Sequence, residues 1–248
     1  MSNSEVKNMN TILFDLDGTL LPIDMEAFEN VYFKGLAKKF HDITTHDKLA
    51  YMVMESLKEM VNNTDLITNE KVFMKKLATF LDEHEIQEYE KRFSDFYIHE
   101  FDELKQVTTP NKHIQQAVMT LKEKGYDLIV ATNPMFPKLA IEKRIQWAGF
   151  NVSDFKYVTS FEKNHYCKPQ LAYYKEVLDQ NNIKPNQCMM VGNDTVEDMI
   201  ASKLGITTFL IDNHIIEREQ AITPDYSGDY QAFYAFAQQL PIIEKGEK

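Results

Sequence analysis

The spacing of hydrophobic positions changes along the chain, and each change predicts a different kind of element. Thr11-Ile12-Leu13-Phe14 is a short apolar run that stops at a charged, glycine-containing stretch, the pattern of a buried parallel strand ending in a loop. From about Met25 to Leu104 the period becomes helical. Phe28, Val31, Tyr32, Gly35 and Leu36 mark one helix, and Leu49, Met52, Val53, Leu57, Met60 and Val61 a second. Phe73, Leu77, Phe80 and Leu81 mark a third, and Ile86, Tyr89, Phe93, Phe96 and Tyr97 a fourth. Four successive amphipathic helices with no strand signal among them can bury their apolar faces against one another, so this segment reads as a separate helical lobe.

After Pro110 strands and helices alternate. A helix on Ile114, Val118 and Leu121 is closed by Gly125, and an apolar strand runs from Tyr126 to Ala131. A helix over Leu139 to Trp147 ends at Gly149, and Phe155 to Thr159 reads as the next strand. Leu171 to Leu178 is helical ahead of a strand from Cys188 to Val191. Val196, Met199, Ile200 and Leu204 then mark a helix ending at Gly205, Thr207 to Ile211 is a β-branched strand, and Tyr230, Phe233, Tyr234 and Ala237 mark a last helix packed on the sheet. This alternation implies an α/β fold, a mostly parallel sheet covered on both faces.

At 248 residues the chain has room for one large domain or for a main domain carrying an insertion. A net charge of −11 argues against nonspecific binding to nucleic acid or to an anionic membrane, which draws its affinity from Lys and Arg on phosphates. Cys167 and Cys188 supply neither a disulfide framework nor a zinc site, so a reducing cytoplasm is expected. The first ten residues, MSNSEVKNMN, carry no apolar run or basic leader, and no segment approaches membrane-spanning length, so neither a signal peptide nor an anchor is expected.

The chemistry-bearing residues stand at predicted strand ends. Asp15-Leu16-Asp17-Gly18-Thr19 follows the first strand directly, and residues two apart in extended chain project to one side, so Asp15 and Asp17 can address one bound group. Two adjacent carboxylates repel each other, and a hard divalent cation would compensate them. Gly18 lets the backbone turn closely. Thr132-Asn133-Pro134 ends the second strand and offers a hydroxyl and an amide to phosphate oxygens. Lys168-Pro169 precedes a helix, with Pro169 suited to its first turn and Lys168 placed to hold an anion. Gly192-Asn193-Asp194-Thr195-Val196-Glu197-Asp198 follows the fourth strand, and Asp194 and Asp198 can share one face of a helical first turn. Taken singly, each motif has a bland reading as a polar turn, a surface lysine or an acidic helix start. The four in this order are much harder to explain that way.

With these motifs the chain resembles the haloacid dehalogenase-like hydrolase superfamily, in a form with a helical cap inserted between the first and second motifs. The resemblance implies a Rossmann-like core over residues 1–22 and 106–248, with central strand order 5-4-1-2-3, and a helical-bundle cap over 23–105. It also implies Asp15 as nucleophile, Asp17 as general acid/base, and Thr132, Asn133 and Lys168 as phosphate holders. Mg²⁺ would be bound by Asp15, the backbone carbonyl of Asp17, and Asp194. Here the fourth motif reads Gly-Asn-Asp, which leaves Asn193 or Asp194 to face the metal and Glu197 or Asp198 to support it; the stronger anionic ligands favour the pair Asp194 and Asp198.

The expected activity is therefore Mg²⁺-dependent hydrolysis of a small phosphorylated metabolite through an aspartyl phosphate. A sugar phosphomutase is the nearest alternative, and a phosphate-binding regulator without turnover is one of a different class. His165, Cys167 and Trp147 read as packing or surface residues. Neither the substrate nor the oligomeric state is legible in the chain.

Overall fold

The computed structural model describes residues 9–243, so the expectation about the leader lies, but for Met9 and Asn10, outside the described residues. Its six strands are β1 (Thr11–Phe14), β2 (Asp127–Val130), β3 (Tyr157–Val158), β4 (Cys188–Gly192), β5 (Thr207–Ile211) and β6 (Tyr226–Gly228). All pair in parallel, in the order β3-β2-β1-β4-β5-β6. This is the order implied by the resemblance, with β6 added beyond β5.

Alternate residues of the central strands go to opposite faces of the sheet. Ile12, Phe14, Val130, Met189 and Val191 join one apolar cluster, while Leu13, Ile129, Ala131, Cys188 and Met190 join a second. The first cluster extends into α5 (Lys112–Glu123), α6 (Lys138–Trp147) and α8 (Tyr230–Gln239), and the second into α7 (Leu171–Asn181). Burial on both faces is why these strands read as nearly continuous apolar runs.

Between β1 and α5 lie the four helices of the cap, α1 (Met25–Phe40), α2 (His46–Asn62), α3 (Asn69–Ala78) and α4 (Glu83–His99). Asp24 caps α1 by accepting from Ala27 N, and Thr45 caps α2 by accepting from Lys48 N. Phe28, Tyr32, Leu36 and Phe40, spaced four apart, form the buried stripe of α1. Gly35 sits on this helix because α4 crosses close by; a Cβ there would lie 2.9 Å from the Phe96 ring. The linkers into and out of the cap run side by side, bridging Ile23 to Thr108, with Thr109 N donating to Pro22 O at 3.0 Å.

The structure departs from expectation at several places. The segment marked by Val196 to Leu204 forms turns and a 3-10 helix over Met199–Leu204 rather than an α-helix. The strand expected over Phe155 to Thr159 shrinks to two residues. Pro169 precedes α7, which begins at Leu171 with Gln170 as its N-cap, so it is not in the first turn.

Candidate active site

Strand register brings the motifs together. Phe14 stands opposite Val130 on one side and Val191 on the other, so Asp15, Thr132 and Asn193 all emerge at the carboxyl edge of the sheet, where the strand order reverses. Asp15 N donates to Val191 O at 2.9 Å. The loop after Asp15 folds back on itself, with Gly18 N donating to Leu21 O and Leu21 N to Leu16 O, both at 2.8 Å. Gly18 has φ +82°, and a Cβ there would fall 2.3 Å from Asn193 Nδ2. Glycine thus lets the first and fourth motifs touch: Thr19 Oγ1 donates to Asn193 Oδ1 at 3.1 Å, and Asn193 Nδ2 donates to His214 O at 2.6 Å.

Lys168 is the electrostatic centre. Its side chain is 1% exposed, and Nζ donates to Asp15 Oδ1 at 2.8 Å and to Asp198 Oδ1 at 2.6 Å. Asp198 Oδ2 accepts from Asn193 N at 3.0 Å and Asp194 N at 2.9 Å, so one carboxylate supports both the lysine and the fourth-motif loop. A Cβ at Gly192 would lie 2.2 Å from Asp198 Cγ, which explains a glycine there. Burial pushes the Asp15 carboxyl up to about 8; the Lys168 ammonium opposes this, and the Asp198 and Asp17 carboxylates add to it. Burial alone would lower Lys168, but Asp15 and Asp198 outweigh it and hold the ammonium well above its ordinary value.

Thr132 is buried, and its carbonyl accepts from Thr159 Oγ1 at 2.8 Å and Tyr173 OH at 2.9 Å, which fixes the backbone at the end of β2. The side chain of Asn133 is occupied internally. Oδ1 accepts from Lys168 N at 3.2 Å and Nδ2 donates to Glu197 Oε2 at 3.0 Å, stapling the second motif to the third and fourth.

The Asp15, Asp17 and Asp194 set does not assemble as expected. Asp194 is buried and turned to other partners: Oδ1 accepts from Val196 N at 2.9 Å and Glu197 N at 2.8 Å, while Oδ2 accepts from Arg218 Nε at 2.6 Å. Its carboxylate is engaged by a turn and an ion pair. Asn193 is the fourth-motif side chain that faces the Asp15 loop. Asp17 Oδ2 is held by Arg144 Nη1, and its Oδ1 is buried with no hydrogen-bond partner among the described residues.

Two participants escaped the sequence reading. Arg144 did have a signal, since it occupies the apolar stripe of α6 beside Ala140, Ile141 and Ile145, where a cation is out of place. Arg218, in an aperiodic loop, had none. His165 pairs with Glu176 at 2.5 Å, and burial pushes the Cys167 thiol up to about 12, so neither is poised for chemistry.

Among the described residues no group of three or more His, Cys, Asp or Glu forms a metal cluster. The donors do fit a hard cation in kind. Asp15 and Asn193 offer oxygen, and three carboxylates (Asp15, Asp17, Asp198) face only two cations (Lys168, Arg144), leaving an uncompensated negative charge. Between cap and core lies a cavity of about 530 Å³ walled by Tyr32, Phe73, Phe93, Tyr97, Phe136 and Phe161. Phe136 is shared with the site, since its ring centroid lies 4.4 Å from the Arg144 guanidinium.

A parallel sheet with an inserted helical cap, and a buried carboxylate and lysine meeting at its switch point, define the class as a capped α/β hydrolase. Residues 9–204 match the family described as "Hydrolase: haloacid dehalogenase-like hydrolase", and the chain belongs to that family. Glyceraldehyde 3-phosphate phosphatase of Methanothermobacter thermautotrophicus is 31% identical over 112 residues; this stretch is 45% of the chain and 48% of the relative, so the match spans about half the relative's length. A predicted phosphoglycolate phosphatase from Haemophilus somnus shares the fold with TM-score 0.58 at 16% identity, over 93% of this chain and 99% of that one. So does a HAD phosphatase from Thermococcus onnurineus, with TM-score 0.58 at 17% identity over 95% and 100%. L-2-haloacid dehalogenase from Xanthobacter autotrophicus gives 0.57 at 13% over 94% and 99%. Among the described residues no helix is long and apolar enough to cross a membrane.

Proposed function

We propose that the chain hydrolyses small phosphate monoesters by transferring the phosphoryl group to Asp15. The observation that carries this reading is the Lys168 ammonium bound at once to Asp15 and Asp198, which puts a fixed buried cation beside the nucleophile. The relative matched over about half its length, a phosphatase by name, supports a phosphorylated substrate.

An Asp15 carboxylate oxygen attacks phosphorus and the ester P–O bond breaks, with Asp17 giving its proton to the departing oxygen. Lys168 neutralises charge on the phosphoryl oxygens. Thr132 Oγ1 and the Asn133 amide receive the remaining oxygens, since the Asn133 side chain is engaged elsewhere. Water then attacks phosphorus, Asp17 takes its proton, and Asp15 is released with inorganic phosphate. Asp15, the Asp17 carbonyl and, in place of Asp194, Asn193 Oδ1 would hold Mg²⁺. When bound it supplies further neutralisation of the transferring group. Asp198 supports the site through Lys168 and the loop amides. The aromatic cavity gives the organic part of the ester an apolar wall. Two free, buried cysteines accord with a reducing, cytoplasmic setting.

The test is phosphate release from a panel of phosphorylated metabolites. Asp15→Asn is expected to abolish turnover, and chelation to remove it reversibly. Turnover by Asp15→Asn would overturn the nucleophile, while tight ligand binding without hydrolysis would point to a regulator.

A further inference from the structure

The Asp17–Arg144 pair is asymmetric. Asp17 Oδ2 accepts from Arg144 Nη1, yet Asp17 Oδ1 and Arg144 Nη2 are both buried without hydrogen-bond partners among the described residues. Arg144 is 1% exposed, clamped by Nε donating to Ala140 O at 3.3 Å and by the Phe136 ring at 4.4 Å. A guanidinium so confined cannot follow a wandering carboxylate, so it fixes the orientation of Asp17. Asp15 contacts Lys168, whereas Asp17 has a dedicated cation from a different helix.

From this geometry we infer that Arg144 is a positioning residue: it anchors Asp17 by Oδ2 and reserves Oδ1 as the oxygen that exchanges the proton. The inference rests on the phosphatase reading. In the first step the proton on Oδ1 passes to the ester oxygen as the P–O bond breaks and the Asp15–phosphorus bond forms. In the second, Oδ1 takes a proton from the attacking water as the Asp15–phosphorus bond breaks. In both states Oδ2 stays an acceptor for Arg144, so this hydrogen bond need not break during turnover. Positioned general acids and bases contribute roughly 10²–10⁴-fold, and misorientation forfeits part of that.

The experiment compares Arg144→Met, Arg144→Lys and Asp17→Asn on an alkyl phosphate and on p-nitrophenyl phosphate, whose leaving group departs without a proton. Phosphorylation of Asp15 is followed in single-turnover mode. Arg144→Met is expected to slow this step about 100-fold on the alkyl phosphate and less than about 5-fold on the aryl ester. Because the hydrolysis of the aspartyl phosphate also needs Asp17, the aryl ester should then show a burst. Combining Arg144→Met with Asp17→Asn should cost little more than Asp17→Asn alone. A structural role would lower both substrates alike, and that result, or losses that multiply, would overturn the inference. Arg144→Lys keeps the charge but loses the fork and should show the same selectivity at smaller size; if Arg144→Met does not melt cooperatively, this variant decides. Should wild type cleave neither ester, the phosphatase reading fails; should Asp17→Asn retain full activity, the acid/base role of Asp17 and this inference fail; should Asp17→Asn be inactive while both Arg144 variants match wild type, only the role of Arg144 fails.

Discussion

Replacing Lys168 by Met removes the one cation among the described residues that touches both Asp15 and Asp198 while keeping most of the side-chain volume. The lysine is 1% exposed and the Asp198 side chain 2%, so water does not take its place cheaply. Breaking a buried pair by removing one partner costs about 3–5 kcal/mol, since the surviving charge is stranded. Asp198 keeps its two amide bonds, which limits its share. For a chain of this size each kcal/mol moves the melting temperature by roughly 2–4 °C, so the expected fall is about 6–20 °C at high pH.

The pH dependence has a definite sign. The folded-state pKa of Asp15 is raised from 3.8 to about 8, so over that window the folded chain holds a proton the unfolded chain has released, and stability falls as pH rises. Lys168, held well above 10.5, stays protonated throughout and adds no slope there. Without the lysine the carboxylates are harder to ionise, so the deficit of Lys168→Met should be large at about pH 9 and shrink at about pH 5. Thermal melts by circular dichroism in a chelator give both numbers. Adding Asp198→Asn, which removes one stranded charge but keeps an acceptor for the loop amides, should restore part of the loss. A variant as stable as wild type at pH 9, or a deficit that grows on acidification, would refute the electrostatic account.

Two further outcomes follow from side-chain orientation and burial. Asn193→Asp should raise the melting temperature gained on adding Mg²⁺, because it adds charge on the side facing Thr19; Asp194→Asn should leave that gain unchanged within error, and the reverse pattern would show that Asp194 is the ligand. Burial pushes the thiols of Cys167 and Cys188 up to about 12, so a chromogenic disulfide reagent should titrate neither in the native protein and both in denaturant; rapid labelling of the folded chain would contradict the packing.

What was legible in the chain was whatever repeats over a few residues. The four cap helices and strands β1, β2, β4 and β5 are regular because one stripe or two faces are buried, and burial writes itself into the sequence as a period. β6 is three partly exposed residues, too short to hold a pattern. The site divides along the same line. Asp15, Thr132 and Asn193 could be placed because parallel register aligns strand ends, but the Asp17–Arg144 contact joins positions 127 apart and leaves no local trace beyond a cation on a buried stripe.

Asn193 and Asp194 show that charge alone does not set which side chain faces the Asp15 loop. A carboxylate is the stronger ligand, and charge alone favours Asp194. But a carboxylate is also the better acceptor for the unpaired amides at the start of a turn, and Asp194 caps Val196 and Glu197 with one oxygen while Arg218 takes the other. The backbone at Asn193 is meanwhile held by Asp198 and by Ile216 N, which donates to Asn193 O at 2.9 Å, so this side chain is turned toward the Gly18 loop. Local hydrogen bonding decides which of two neighbours faces the Gly18 loop, and the more charged one is the one the turn keeps for itself.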